Sequence, residues 1–158
     1  IKNINKSYLK RFLKSIKNED LIPDIDATFI EAHKHNTLYS YLGEPGYMPM
    51  VGHINGGYVI DADFREGNES PAGKNLEFIK ACAMQLPIGT TFDRFRADSA
   101  SYQAEIFNYC DKEKILFTVS GQKDKSVMYE INNIQADQWE KLNDREQVAE
   151  FMHTMGKA

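Results

Sequence analysis

The sequence predicts an α/β domain built on a mixed sheet with helices on its faces. Three observations carry that reading. Apolar residues recur at helical spacing in three separate segments, alternating segments of strand character lie between them, and an Asn-Gly turn joins two strands into a hairpin. A hairpin gives an antiparallel pair, whereas a strand-helix-strand run gives a parallel one. The order α-β-β-β-α-β-α-β therefore mixes both kinds of pairing.

The first helix, over residues 7–16, sets Leu9, Phe12, Leu13 and Ile16 on one side, the i, i+3, i+4, i+7 spacing of an amphipathic helix. In "LIPDIDATFIEAH" the pattern changes to alternation, and a strand is expected over residues 24–32. "NTLYSYLGEPGY" reads as a loop. The hairpin arms "MPMVGHI" and "YVIDADF" meet at Asn55-Gly56-Gly57, where a tight turn needs positive φ at its centre. After the polar loop "REGNESPAGK", a helix over residues 75–85 aligns Leu76, Ile79, Cys82 and Ala83, and Pro87 and Gly89 follow it. A strand ending at Ala97, a helix over residues 101–112 and the strand "ILFTVSG" complete a core of residues 1–121. In the separate region 122–158, "KSVMYEINNI" is expected to form a strand, and "QADQWEKLNDREQVAEFMHT" is polar with weak helical character. An initial Ile and the ending "FMHTMGKA" lead us to expect a piece of a longer protein.

A chain of 158 residues with 42% hydrophobic and 27% charged residues suits one globular domain with a core. No window approaches the roughly 18 apolar residues of a membrane-spanning helix. Cys82 and Cys110 lie in helix-like apolar surroundings, without the CxxC or Cys/His spacing of a zinc site. They read as buried free thiols in a reducing compartment, which makes the cytoplasm the expected location. The net charge of −4 argues against a general polyanion-coating surface. Residues 1–17 nevertheless carry Lys2, Lys6, Lys10, Arg11, Lys14 and Lys17 with no acid. A phosphate contact and a solvated helix face both account for that run.

Two aspartates stand out. In "DIDATFIEAH", Asp24, Asp26 and Thr28 share one strand face, and Ile25, Ala27 and Phe29 the other. Aspartate is depleted within strands, and an unpaired carboxylate in a sheet interior is costly. Asp26 therefore needs a cation, a basic side chain or exposure at the sheet edge. Asp98, in "FRADSASYQAEIFNYCDKE", stands where alternation gives way to helical spacing. It makes a good N-cap, although Ser99 and Ser101 can cap as well. If their strands are neighbours, Asp26 and Asp98 converge, and converging carboxylates repel unless they hold Mg2+ or Mn2+. A pair of such ions about 3.5–4 Å apart supports phosphoryl transfer.

Other groups are less distinctive. His33 and His35 suit either a metal or open solvent. "GQKDKS" lacks the second glycine of a phosphate-binding loop. Tyr39, Tyr41 and Tyr47 with Lys34 and Arg65 mix aromatic and basic groups as a nucleic-acid groove does, and hairpin packing explains the tyrosines equally well.

Together "DIDATFIEAHKHNTLYSYLGEPGYMPM", "DADFREGNESPAG" and "FRADSASYQAEIFNYC" resemble successive signatures of the DDE transposases of bacterial insertion sequences, of the group 1 DDE-domain type. The resemblance runs over residues 4–121. It rests on D-x-D-A-T, Y-x-G-x-x-G-Y-x-P, G-N-x-S-P-A and R-A-D-S, in that order. It implies a ribonuclease H-like fold with a mixed central sheet of about five strands flanked by helices. The first acid then lies on the first strand and the second just after the fourth, at Asp26 and Asp98, as catalytic and metal-binding residues. It also implies two Mg2+ or Mn2+ ions, nicking of transposon ends and attack by the freed 3′-hydroxyl on target DNA, without a covalent protein–DNA intermediate. The partners are double-stranded DNA, as terminal repeats and target, and a second copy of the protein on DNA, in a bacterial cytoplasm at the nucleoid. Lys34, His35, Arg65 and Asn68 are the candidate DNA contacts, with ordinary loop polarity as the other reading of each.

One departure matters. The resemblance implies a third acid, a glutamate on a helix beyond a β-rich insertion, and residues 122–158 read as the start of that insertion. Glu140, Glu146 and Glu150 do not match the third motif. The third acid is expected outside this chain, which alone should bind metal poorly and not transpose DNA. Two other functions fit the same residues: a non-catalytic DNA-binding or regulatory transposase remnant, and another ribonuclease H-like nuclease.

Overall fold

The first helix, α1 (Lys2–Ser15), starts earlier than its apolar repeat. The Asn5 side chain donates to the carbonyls of Ile60 at 2.7 Å and Val59 at 3.2 Å, and this tertiary anchor carries the helix beyond its amphipathic stretch. Leu9 is wholly buried, and Phe12 stacks on Tyr58 with ring centroids 4.1 Å apart. The structure, a computed structural model, describes residues 2–16, 19–55 and 57–155. The side chains of residues 2–4, and Lys17 and Gly56, lie outside that description.

Strand β1 (Pro23–Ala27) is shorter than the single strand expected over residues 24–32, and β2 (Ile30–Glu31) belongs to another sheet. Pro49 explains the break. Strand β1 pairs with a later strand as far as Ala27 opposite Met50. The Thr28 amide then donates to the Pro49 carbonyl at 3.0 Å, but Pro49 has no N–H to return, so the ladder stops. The expected tyrosine-rich loop contains β3 (Leu38–Tyr39) and β4 (Pro45–Tyr47), which join β2 in a three-stranded sheet of order β2-β4-β3. Gly46 is required there, because a Cβ would strike the Ile30 carbonyl oxygen and the Phe29 ring.

The hairpin pairs β5 (Met50–Ile54) with β6 (Tyr58–Asp63). Asn55 takes a positive φ of 49°, and its side chain accepts from the Ile22 amide at 3.0 Å, fastening the turn to the start of β1. Next come α2 (Asn75–Ala83), β7 (Arg94–Ala97), a 3₁₀ turn at Ser99–Ser101, α3 (Ala104–Glu113) and β8 (Leu116–Val119). Helix α3 was expected from residue 101. It begins later because Asp98 caps the separate 3₁₀ turn.

The central sheet has five strands in the order β6-β5-β1-β7-β8. Strands β1, β7 and β8 are parallel, and β5 runs antiparallel to both of its neighbours, β1 and β6. This is the expected mixed sheet of about five strands flanked by helices. Alternation divides its two faces. Ile25, Met50, Ile54, Ile60 and Phe95 pack with Leu9 of α1, Phe78, Ile79 and Cys82 of α2, and Ile106 and Cys110 of α3 in one apolar cluster. The opposite face carries Asp24, Asp26, Arg94 and Arg96, with Val59 and Leu116 exposed among them.

The chain divides into two compact units, residues 1–120 and 121–158. In the second, α4 (Lys125–Asn133) occupies the segment "KSVMYEINNI" that was expected to be a strand. Val127, Tyr129 and Ile131 favour strands. The Asp124 carboxylate nevertheless accepts from the Val127 amide at 2.9 Å, and this N-cap starts a helix instead. The tail expected to be weakly helical forms a 3₁₀ turn at Ala136–Gln138 and a hairpin of β9 (Glu140–Lys141) and β10 (Gln147–Val148).

Gly52 supplies a test of the packing of α2 on the sheet. A Cβ there would stand 2.6 Å from Cys82 Sγ and 3.2 Å from Phe78 Cε1. Gly52→Ala is expected to cost about 1–3 kcal/mol of stability in urea unfolding. The cost should shrink in a Cys82→Ala background, because the clashing sulfur is gone.

Candidate active site

Asp24 and Arg96 are directly opposed on the parallel strands β1 and β7. Arg96 Nε donates to Asp24 Oδ1 at 2.6 Å and Nη2 to Oδ2 at 2.9 Å, a two-pronged pair that fixes the register. The hydrogen bonds to Asp24, and then its charge, raise the Arg96 pKa further. Two residues on, alternation returns both strands to the same face, and the residues there are Asp26 and Asp98. Both line a small cavity of about 20 Å3 at the carboxyl ends of the strands, together with Pro71, Asn75, Ala100 and Ser101. The carboxyl ends of parallel strands are where α/β sheets place their ligands.

Asp98 is a cap as well as a cavity-lining acid. Its Oδ1 accepts from the Ala100 amide at 2.9 Å, which closes the 3₁₀ turn, while Oδ2 makes no hydrogen bond to the described residues. Asp26 is exposed, and the Thr28 hydroxyl donates to its Oδ2 over a long 3.4 Å. Neither acid is spent on a strong partner among the described residues.

The wall of the cavity is tied down by groups that sequence reasoning missed. With its amide turned to satisfy both ends, buried Asn75 donates to the carbonyls of Pro71 at 3.0 Å and Gly73 at 3.1 Å and accepts from Ser101 Oγ at 3.2 Å. Gln103 Nε2 donates to the carbonyls of Ala72 at 2.9 Å and Ala100 at 2.8 Å. The loop of residues 67–73 and the turn after Asp98 are thus sewn together. The only sign in the sequence was polar residues at two helix starts. Gly67 holds the other end of the loop, since a Cβ there would meet the backbone of Leu38 and Gly46.

The expected DNA contacts separate. Lys34 and His35 are exposed in the turn before β3, and Asn68 is exposed in the loop that also carries Pro71. Arg65 is a correction. It is only 4% exposed and donates to Asp63 Oδ2 at 3.0 Å, the Gly73 carbonyl at 2.7 Å and Met50 Sδ at 3.1 Å. Its guanidinium braces the loop from within, and its burial keeps it from a surface phosphate. His33 is engaged with Glu31 at 2.6 Å. His53 Nδ1 lies 3.2 Å from the Asp24 carbonyl oxygen. Burial pushes the Cys82 thiol to about 12 and the Cys110 thiol to about 11, far from a working nucleophile.

Carboxylate oxygens are the hard ligands that Mg2+ and Mn2+ take, and Mg2+ is commonly held by one or two carboxylates with water completing the shell. Asp26 and Asp98 fit one such ion. Among the described residues no group of three His, Cys, Asp or Glu side chains is arranged around a metal position.

The sheet order, with one aspartate on the central strand and another just beyond its parallel neighbour, defines a mixed α/β domain with an acidic edge. The chain belongs to the family described as transposase DDE domain group 1, whose model matches residues 1–158. Among solved structures it is similar to the catalytic domain of Mos1 mariner transposase, at 13% identity and a TM-score of 0.47 over 78% of this chain and 60% of that one. It is also similar to the Mos1 mariner paired end complex with Mn, at 13% identity and a TM-score of 0.44, over 84% of this chain and 47% of that one. The chain therefore spans less than two thirds of each of these. No curated protein matches it.

The corrected role of Arg65 is measurable. Arg65→Lys keeps the charge but cannot reach Asp63, Gly73 and Met50 together. It is expected to lower stability in urea unfolding by about 1.5–3 kcal/mol, whereas Lys34→Ala and Asn68→Ala should stay within about 0.5 kcal/mol of the parent.

Proposed function

We propose that this chain is the catalytic core of a DNA transposase, in which Asp26 and Asp98 hold a divalent cation at the edge where DNA is cut and joined. The observation that carries the reading is the register of β1 on β7, which sets the two acids side by side on one sheet face and on one cavity. Family membership supports the class of reaction. Mg2+ or Mn2+, when bound, would supply Lewis-acid activation of an attacking water or 3′-hydroxyl.

The protein's own groups supply position. Asp98 is held by its cap to the Ala100 amide, so one oxygen is engaged by the fold while the other is left for the ion. The Asp24–Arg96 pair keeps Asp26 level with it. Asn75 and Gln103 keep the loop wall in place. Lys34, His35 and Asn68 are exposed, and we assign them to the backbone of double-stranded DNA, terminal repeats and target alike, with two copies of the protein acting together. A two-ion centre needs a third carboxylate, and none of the described residues brings one to this edge. We assign it to a residue outside this chain.

The test is Mg2+-dependent nicking of a terminal-repeat duplex by the full gene product. Asp26→Asn and Asp98→Asn are each expected to lower the rate by more than the roughly 10–100-fold typical of losing an outer-shell partner of a metal. Asp98→Asn should leave stability within about 0.5 kcal/mol, because the amide oxygen can still cap Ala100. Cleavage that survives Asp98→Asn would exclude the proposed site. Tight DNA binding without cleavage by a protein with all three acids would favour a regulatory remnant.

A further inference from the structure

The outer face of α1 takes no part in the site described so far. Residues 1–17 hold six of the chain's 19 basic residues, and all 23 acidic residues lie beyond them. Lys6, Lys10 and Lys14 recur every fourth position, with Arg11 beside them. All four side chains are exposed, and none is ion-paired with a described residue. Four helical residues advance about 6 Å, so the three lysines form a straight stripe. Along one DNA strand a charge recurs every ~3.4 Å, which puts alternate phosphates within easy reach of successive flexible stems.

The opposite side of the helix excludes the other common use of a basic amphipathic helix. Binding to a membrane surface needs a free apolar face to sink between headgroups. Here Leu9 is fully buried, and Phe12, Leu13 and Ile16 are packed against the core. The Phe12–Tyr58 stack and the Asn5 hydrogen bonds hold the helix in one orientation. What α1 presents outward is mainly charge, with Ser7, Ser15 and a single aromatic, Tyr8, beside it, and the face is fixed on the sheet.

We infer that the Lys6–Lys10–Arg11–Lys14 face of α1 is a phosphate-backbone contact for duplex DNA, distinct from the Asp26–Asp98 edge. The inference rests on the reading of the chain as a DNA-processing domain and adds to it where the duplex is gripped. Lysines act on phosphate as point charges, so this contact positions the duplex without reading its sequence.

The experiment is fluorescence anisotropy of a labelled random-sequence duplex with the full chain, titrated at several KCl concentrations between about 50 and 200 mM. Each phosphate contact contributes about 0.9 to the slope of log K against log salt. The variant K6Q/K10Q/R11Q/K14Q is expected to lose about 3–4 from the magnitude of that slope and at least tenfold in affinity at low salt. Arginine at the same three lysine positions should preserve both. If the quadruple variant loses its cooperative thermal transition, K6Q/K14Q decides, with an expected loss of about 2 in slope. An unchanged slope and affinity, in a background where the parent binds, would overturn the α1 contact and leave the transposase reading intact. A parent chain that binds no duplex at low salt would overturn both. Anionic phosphatidylserine vesicles are the control. Binding to them as tight as to DNA, and lost in the variant, would overturn the DNA assignment in favour of a membrane surface.

Discussion

The bidentate pair between Asp24 and Arg96 is the contact on which the candidate site depends. Parallel strands are joined by long crossovers, so no tight turn sets their register as it does in a hairpin. Between β1 and β7 that task falls to side chains. A slip of one residue would turn Asp26 or Asp98 to the opposite face, and the two acids would no longer share a cavity. An ion pair whose arginine is 63% exposed contributes little to global stability. Its value lies in alignment.

Around this register the fold builds a rigid wall from elements with no chemistry of their own. Pro49 ends the β1–β5 ladder and releases the chain just beyond Asp26 into the small sheet. Gly46 and Gly67 allow that sheet and the loop of residues 67–73 to touch backbone to backbone. Arg65 braces the loop from beneath, and Asn75 and Gln103 stitch it to the turn that Asp98 caps. Much of what looks like a functional signature in the sequence is therefore packing. The glycines and Arg65 serve geometry, and the two aspartates carry the charge.

This division explains what could be read in advance. The hairpin was legible because Asn55 takes the positive φ that a tight turn needs, and α2 because its apolar period is unbroken. Strand β1 was read too long because the missing donor belongs to Pro49, some twenty residues away. Helix α4 was read as a strand because the β-forming residues Val127, Tyr129 and Ile131 alternate, while the decision lay with the cap at Asp124. Arg65 was taken for a DNA contact because burial leaves no mark on a single arginine in a polar loop. Asp26 and Asp98 were informative only as a pair, and the pairing itself is a tertiary fact. Asn75 and Gln103 went unseen because an amide that bonds to remote carbonyls has no local pattern.

The metal-ligand role proposed for Asp98 does not conflict with its cap. A helix cap and a metal ligand look like competing roles for one aspartate, but a carboxylate has two oxygens. The cap engages Oδ1, which fixes the plane of the group and leaves Oδ2 directed by the fold rather than by its own rotation. An oriented ligand loses less freedom on binding a cation than a loose one. On the proposed reading, the same edge concentrates negative charge where a polyanion would approach, on a chain whose net charge is −4. Binding DNA there requires positive charge held elsewhere, at a distance that does not neutralise the acids. Helix α1 meets that requirement. Its cations are gathered on one rigid face, unpaired with the described acids and separate from the Asp26–Asp98 cavity.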